Sequence, residues 1–327
     1  MENEKRLETP VLFLIFNRPE STRTVGDAIL RRRPCRLYVA ADGPRGDHPA
    51  DAARCAEARR IVEDIDWDCD VRTLYRNDNL GCKRAVASAI DWFFETEEEG
   101  IILEDDCLPD DSFFSFTSTL LNTYRYDSRI SVVSGNNFQN GIARSGASYY
   151  CSCFPHCWGW ATWRRAWKWF DITMSLWPEA KERQFLRNVW SHPGYRRYWE
   201  SIFDAVYSGD IDSWAYIWTL CLWLQSGLTL LPQVNLVRNI GGGPDATHTT
   251  GTDVTRESQS IDMPLVHPTV IGRDISADTY SMRHHFQVTR VGEVKAVVRN
   301  TIKRSTGLDV SAMKRKLRQR IFGACLS

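Results

Sequence analysis

The sequence predicts an α/β protein with a mostly parallel sheet and helices on both faces. Three observations support this class: short apolar runs alternate with segments of helical spacing, the connections between them are short, and polar clusters follow the apolar runs. Strands that alternate with helices in this way are typical of parallel sheets covered on both faces. With 327 residues, 43% of them hydrophobic, the chain can bury a core large enough for such a sheet.

The elements of the N-terminal part follow in a regular order. The apolar run VLFLIF at 11–16 is too short for an independent helix and is interpreted as the first strand. The segment 82–94 places Val86, Ile90 and Phe93 at helical spacing, which predicts a helix. The same reasoning predicts strands at 36–41, 70–75 and 100–103, and helices at 21–30, 52–64 and 113–121.

Polar clusters follow the predicted strands at their carboxyl ends. Ligands of parallel α/β sheets bind in the crevice beyond these ends. We therefore expect the clusters to line one crevice. They are Asn17-Arg18, Asp42-Gly43, Asn79-Leu80-Gly81 and Glu104-Asp105-Asp106.

Three consecutive carboxylates, Glu104, Asp105 and Asp106, directly follow the apolar run GIIL. If the extended geometry continues, Glu104 and Asp106 point to one face and Asp105 to the other. Oxygen ligands of this kind suit Mg²⁺ or Mn²⁺, which share their coordination with substrate phosphates. The alternative is a helix N-terminus, because Asp110 and Asp111 precede the next predicted helix. We assign these two residues to the cap and the triplet to a metal.

The second half of the chain is rich in tryptophan. Eleven of the 13 tryptophans lie between Trp158 and Trp223, and an exposed set of this size would promote aggregation. We expect most of them in the core, with a few that could line a sugar or nucleotide face. Cys151, Cys153 and Cys157 lie near His156, but no second ligand pair follows at zinc-site spacing, so a core or loop role is favoured for these four residues.

The overall charge excludes a nucleic-acid binder as the first interpretation, because 41 basic residues balance 41 acidic ones. The N-terminus has no apolar signal core, and no apolar run is long enough to span a bilayer. We therefore expect a cytoplasmic protein. Ten cysteines without regular spacing are expected to be mostly buried thiols in a reducing compartment.

The order of the motifs resembles a known family. An FNRP turn, an ADG strand end, an NLG loop before a helix and the acidic triplet follow each other in the sequence, as in glycosyltransferases of the GT-A (Rossmann-like) fold. The resemblance is to the inverting animal N-acetylglucosaminyltransferase I and its bacterial relatives, and it covers roughly 10–250. It implies a nucleotide-sugar-binding half at 8–128, a Trp-rich acceptor and catalytic half of the same domain at 129–250, and a C-terminal extension with a basic helix at 251–327.

The resemblance also implies a nucleotide-sugar donor, with UDP as the expected nucleotide, and Mn²⁺ or Mg²⁺ as cofactor. Arg18 would face the diphosphate, Asp42 would accept a hydrogen bond from the base, and Asp106 would ligate the metal. The remaining donor-site residues are Asn17 near the nucleotide, Lys83 or Arg84 near the base or phosphate, and Glu104 and Asp105 near the ribose or a metal-bound water.

Transfer to an acceptor hydroxyl further needs a base. The segment 209–218 looks like the family's acidic, tryptophan-flanked segment, with Asp212 as first choice and Asp210 as second. The alternative for Asp212 is a helix N-cap followed by core residues. His248, in a glycine-rich segment that resembles the family's lid over the donor, would ligate the metal or contact the diphosphate.

Other functions and partners are also open. A sugar nucleotidyltransferase is one alternative, although no glycine-rich basic phosphate loop follows the first strand. A non-catalytic carbohydrate-binding protein is another, and would not need a metal. Eleven Lys/Arg residues against two acids from Met282 onward suggest a basic tail for an anionic membrane surface, or a solvated or partner-binding helix. The expected acceptor is a glycan or lipid-linked glycan, and a homodimer is left open.

Overall fold

A computed structural model describes residues 6–241 and 257–288 of the chain. Its centre is an eight-stranded sheet with the strand order β3-β2-β1-β4-β8-β6-β9-β7, and β10 pairs with β5 in a small second sheet. The strands are β1 Val11–Ile15, β2 Arg36–Ala41, β3 Asp70–Tyr75, β4 Glu99–Glu104, β5 Cys107–Pro109, β6 Ile130–Ser134, β7 Tyr149–Ser152, β8 Trp160–Trp163, β9 Leu228–Pro232 and β10 Val237–Asn239.

The large sheet is mixed, with more parallel than antiparallel pairs. Strands β3, β2, β1 and β4 run parallel to each other, and β6 runs parallel to β9. Strand β8 is inserted antiparallel between β4 and β6, and β7 pairs antiparallel with β9. The α/β class expected from the sequence is therefore confirmed, and the antiparallel strands of the large sheet are β7 and β8.

Helices cover both faces of the sheet. Along β1, Leu12 and Leu14 pack into one core, while Val11, Phe13 and Ile15 pack into the other, as the alternation of side chains along a strand requires. The helices are α1 Pro19–Arg31, α2 Asp51–Ala58, α3 Cys82–Thr96, α4 Asp111–Thr123, α5 Arg164–Trp167, α6 Trp177–Glu182, α7 Leu186–Val189, α8 Pro193–Tyr207, α9 Trp214–Leu224 and α10 Ile275–His284, with a 3₁₀ helix at Arg59–Asp64.

The predicted elements of the first half are confirmed with small shifts. The helix predicted at 52–64 consists of α2 followed by the 3₁₀ helix. Asp110 is the N-cap of α4 and accepts a hydrogen bond from the Ser112 N–H at 2.9 Å, which confirms its assignment to the cap. Among the residues that the structure describes, no helix is both long and apolar enough to cross a membrane.

The acidic triplet does not continue the strand, so the predicted alternation is wrong. Strand β4 ends at Glu104, and Asp105 and Asp106 form a turn into β5. The turn brings the second and third carboxylates to the same side, where both approach Arg18. Pairing of β5 with β10 then places Ile240 beside the turn, with its N–H donating to the Asp106 carbonyl at 2.7 Å.

Most tryptophans lie in the core, as the sequence predicts. Trp169 is half exposed, at 50%. Nine others expose at most 4% of their surface, and these are Trp160, Trp163, Trp167, Trp177, Trp190, Trp199, Trp214, Trp218 and Trp223. They occupy mainly the face covered by α5–α9, so aromatic packing holds the second half of the chain against the sheet.

Helix α10 is fixed to the sheet through a buried carboxylate. Asp278, 1% exposed, accepts hydrogen bonds from Ser152 Oγ at 2.5 Å and from Arg273 Nε at 2.6 Å. Ser152 is the last residue of β7, whereas Arg273 belongs to the same segment as Asp278. The hydrogen bond from Ser152 therefore ties the described part of the C-terminal segment to the edge of the sheet.

Candidate functional site

A cavity of about 960 Å³ opens at the carboxyl ends of β1, β2 and β4. Residues that follow these strands line it together with residues from the second half of the chain. The lining residues from the strand ends include Phe16, Arg18, Asp42, Glu104, Asp105 and Asp106. All four polar clusters that were predicted to meet contribute to this cavity. The cluster at 79–81 contributes Asn79 and Gly81, and the other three contribute the residues just named.

Arg18 bridges the carboxylates of Asp105 and Asp106 in this cavity. Its Nη1 lies 3.1 Å from Asp106 Oδ2 and 3.4 Å from Asp105 Oδ1. Asp105, 5% exposed, also accepts a hydrogen bond from the Phe16 N–H at 3.0 Å. One guanidinium thus faces three consecutive acids, which leaves negative charge in excess.

This excess charge is reflected in the acid–base properties of the triplet. Burial, followed by repulsion from Asp106 and Asp105, raises the pKa of Glu104 from 4.5 to about 8. Burial and the charge of Asp106 raise the pKa of Asp105 from 3.8 to about 7, although Arg18 opposes this shift. Both shifts favour the protonated forms of these two carboxylates, and a bound cation would oppose them.

Asp42 organises the NLG loop. Its carboxylate accepts hydrogen bonds from the N–H groups of Gly43, Leu80 and Gly81 at 3.0–3.1 Å, and from Asn79 Nδ2 at 3.0 Å. A carboxylate has about four lone-pair positions, and the protein itself occupies them here. A base N–H that donates to Asp42, as expected from the resemblance, would have to displace one of these donors.

Asn17 is directed away from the cavity. Its amide donates to Asp51 Oδ1 at 2.7 Å, and it is not among the lining residues. Asp51, 3% exposed, also pairs with Arg45 Nε at 2.6 Å. Arg45 lines the cavity and lies over the Phe16 ring, 5.6 Å from its centroid.

Arg45, Arg76 and Phe16 are lining residues that the sequence reasoning missed. The position of each residue in the sequence, close after a predicted strand or polar cluster, could have identified it. Phe16 and Arg76 directly follow the ends of β1 and β3, and Arg45 comes three residues after Asp42. Two further cations near the mouth of the cavity increase its capacity for an anionic ligand.

The two acids of the segment 209–218 take different positions. Asp212 lines the cavity and lies 3.6 Å from Lys83 Nζ through its Oδ1, whereas Asp210 is exposed, does not line the cavity and accepts a hydrogen bond from Ser208 Oγ at 2.9 Å. The alternative role of Asp212 as N-cap is wrong, because Ser213 is the N-cap residue of α9. Lys83 does not itself line the cavity, and its ion pair with Asp212 is its link to the site.

Arg84, the other cation predicted on this helix, is exposed and does not line the cavity. The first turn of α3 nevertheless adjoins the site through Gly81, its N-cap residue with φ +77°. This left-handed backbone conformation favours glycine. A Cβ atom at Gly81 would also lie 3.7 Å from Asp212 Oδ2, so the loop 79–81 and the segment 209–218 meet here.

No three His, Cys, Asp or Glu side chains within 6–241 and 257–288 are arranged to hold a metal ion. Cys151, Cys153, His156 and Cys157 therefore form no zinc site. His248, the second metal ligand expected from the sequence, lies outside the described residues, as does the basic tail from 289 onward. The triplet offers hard oxygen donors, which fits an Mg²⁺ or Mn²⁺ ion that takes its other ligands from water and phosphate.

Part of the cavity lining is aromatic. We call the following six lining residues the aromatic wall: Phe138, His156, Trp158, Tyr198, His285 and Phe286. They come from the segment after β6, the segment between β7 and β8, helix α8 and the segment after α10. The sequence reasoning identified only His156 and the tryptophan run from this set.

Comparison with known proteins adds little to this geometry. No protein-family model matches the chain, and no curated protein is significantly similar to it. A solved structure described as HddC from Yersinia pseudotuberculosis shares 11% identity at a TM-score of 0.26, over 44% of this chain and 59% of that one. The chain thus spans less than two thirds of HddC, and a TM-score this low supports no inference.

Proposed function

We propose that the protein is a GT-A glycosyltransferase. It would move a sugar from a nucleotide-diphosphate donor, with UDP as the expected nucleotide, to a hydroxyl of a glycan or glycolipid. The observation that supports this function is the single cavity in which Arg18, the acidic triplet and Asp212 meet beside an aromatic surface. Charged side chains suit the diphosphate of such a donor, and an aromatic surface suits a sugar.

Arg18 binds the diphosphate in this proposal. In the described structure its guanidinium bridges Asp105 and Asp106, and it is only 21% exposed. A guanidinium forms paired hydrogen bonds with phosphate oxygens. Arg45 and Arg76 lie on the same cavity and add positive charge for the nucleotide.

Asp106 would hold the divalent cation, with Glu104 and Asp105 beside it. Of the two carboxylates that contact Arg18, Asp106 is the more accessible. Its side chain is 17% exposed, against 8% for Asp105. When bound, the cation supplies Lewis-acid stabilisation for the departing diphosphate. A Cβ on Gly241 would overlap the Asp106 carboxylate, so the absence of a side chain there keeps the carboxylate accessible.

Asp212 serves as the base that takes the proton of the acceptor hydroxyl. It is the acid of its segment that lines the cavity, and Lys83 holds its Oδ1. A carboxylate placed opposite the leaving group favours inversion at the transferred carbon. Asp42 acts indirectly, because its carboxylate shapes the loop 79–81 beside the nucleotide.

The experiment is a turnover assay with the full chain. UDP release is measured from UDP-glucose, UDP-galactose and UDP-N-acetylglucosamine, with Mn²⁺ or with EDTA. We expect Mn²⁺-dependent release of UDP from one of these donors, accelerated by an acceptor glycan. Sugar binding that persists in EDTA, together with no turnover even in Mn²⁺, would instead support the non-catalytic carbohydrate-binding protein, because stacking on aromatic rings needs no cation.

A further inference from the structure

We propose that the aromatic wall binds a neutral sugar unit of the acceptor. The inference rests on the proposed function in one respect, namely that the occupant is an acceptor. The structural basis is separate, since the wall is built by segments other than the one that carries the acidic triplet.

The rings of the wall form one connected surface. Phe138 stacks on His285 with 3.9 Å between ring centroids, and lies 4.4 Å from His156 and 5.6 Å from Trp158. His285 continues to Phe286 at 4.7 Å. Residues more than 140 positions apart thus share one aromatic surface, of the kind that packs against the apolar C–H face of a sugar ring.

A buried polar atom of a lining residue lacks a hydrogen-bond partner among the described residues. The side chain of Asn136 lines the cavity and is only 1% exposed, and its Nδ2 has no hydrogen-bond partner among the described residues. Its Oδ1 is held by the Trp158 N–H at 3.0 Å, which fixes the orientation of the amide. A buried donor left unpaired is costly, so a sugar hydroxyl that accepts its hydrogen bond would be favoured.

Charge decides the class of sugar. The described lining residues with a fixed charge are Arg18, Asp42, Arg45, Arg76, Glu104, Asp105, Asp106 and Asp212. Seven of them come from the segments that follow β1–β4 and the eighth precedes α9, so none belongs to the wall. A carboxylated or phosphorylated sugar on the wall would lack a cationic partner and would lose hydration. The geometry therefore favours a neutral sugar.

The wall is held in place before any ligand binds. The hydrogen bond from Ser152 Oγ to Asp278 anchors α10 to β7, and Arg273 pairs with Asp278 within the same segment. Gln139, next to Phe138, donates from Nε2 to Ser281 Oγ at 3.0 Å. Both sides of the Phe138–His285 stack are thereby tied together through buried polar contacts, and a preformed surface loses little entropy on binding.

The test measures binding of two small probes to the full chain by saturation-transfer NMR. The probes are methyl β-D-glucopyranoside, which is neutral, and methyl β-D-glucuronide, which is anionic. Phe286→Leu removes a ring of the wall and keeps the apolar volume. The control is His284→Ala, because His284 is exposed, stacks on Tyr280 at 4.1 Å and does not line the cavity.

We expect the wild type and His284→Ala to bind the glucoside and not the glucuronide, and Phe286→Leu to weaken glucoside binding about fivefold. Equal binding of the two probes, or an equal effect of the two substitutions, would overturn the inference. Calorimetric titration with UDP and Mn²⁺ on the same samples separates the two proposals. UDP binding without glucoside binding would reject the neutral-sugar wall alone, whereas glucoside binding without UDP binding would reject the donor site.

Discussion

At the scale of single residues, the bridge from Arg18 to Asp105 and Asp106 is the most informative contact of the site. The guanidinium occupies the space between two carboxylate oxygens, at 3.4 and 3.1 Å. A divalent cation bound by Asp106 would compete with it for the same charge. Arg18 is therefore expected to oppose binding of the cation alone and to favour binding of the cation together with a diphosphate.

The first prediction follows from this competition. Arg18→Met should bind Mn²⁺ alone more tightly than the wild type, by about tenfold, because removal of one adjacent positive charge is worth about 1–2 kcal/mol at such a site. The same variant should bind UDP in the presence of Mn²⁺ more weakly. Electron paramagnetic resonance of free Mn²⁺ measures the first affinity and calorimetry the second. Arg84→Met, at an exposed site, is the matched control, and changes in the same direction for both ligands would contradict the competition.

Asp42 gives a second residue-scale prediction. Because its carboxylate accepts four N–H donors, Asp42→Asn replaces an acceptor by a donor that faces other donors. We expect the free energy of unfolding to fall by about 2–3 kcal/mol, as measured by urea denaturation. Asp78→Asn, an exposed change in the adjacent segment, should have an effect within about 0.5 kcal/mol. Equal effects of the two changes would show that Asp42 does not hold the loop.

At the scale of elements, the N-terminus of α9 distinguishes the two candidate bases. Asp212→Asn should lower the rate of sugar transfer by about 10²–10⁴-fold and leave UDP binding unchanged. Asp210→Asn should stay within about twofold, since Asp210 is exposed away from the cavity. The measurement is UDP release from the donor that the protein turns over. A larger effect at Asp210 would assign the base to that residue.

The elements of the first half were predictable because each one is encoded locally. Strand β1 is a continuous apolar run, α3 shows a clear apolar stripe, and Asp110 caps α4 through its own side chain. Helix α9, with the sequence WAYIWTLCLWL, is buried on nearly all sides and shows no apolar stripe. Periodicity cannot identify such a helix. The antiparallel insertion of β8 depends on partners far away in the sequence, which no local pattern reports.

At the scale of the whole molecule, the site could be predicted only where topology alone determines it. Parallel strands bring their carboxyl ends to one edge, and this placed Arg18, Asp42 and the triplet correctly on one cavity. The aromatic wall instead joins Phe138, Trp158 and Phe286 from separate parts of the chain. Their meeting depends on the packing of α8 and α10. The turn at Asp105 was missed because strand length is set by the neighbouring strands.

The protonation of the triplet should make the stability of the cation-free protein depend on pH. The folded protein keeps the protons of Glu104 and Asp105 up to a pKa of about 8 and about 7, above the ordinary values of 4.5 and 3.8. The folded state thus binds more protons than the unfolded state in this range, and stability falls as pH rises toward 8.

The corresponding prediction uses thermal unfolding in EDTA at about pH 6 and pH 8. The midpoint of the wild type should fall by about 2–4 °C more than that of Glu104→Gln, because the amide has no proton to lose. Addition of Mn²⁺ should reduce this fall, since the cation compensates the ionised carboxylates. Identical pH dependence of wild type and Glu104→Gln would contradict the proposed charge excess.

The most direct test of the donor site is calorimetric titration of the full chain with UDP. The comparison includes Mn²⁺, EDTA, Asp106→Ala and, as control from the same acidic stretch, Asp111→Ala, which removes a carboxylate that is 67% exposed. We expect binding in Mn²⁺ for the wild type and Asp111→Ala, and affinity at least about tenfold weaker in EDTA or in Asp106→Ala. UDP binding that is unaffected by EDTA and by Asp106→Ala would contradict the assignment of a metal-dependent nucleotide-sugar site to this cavity.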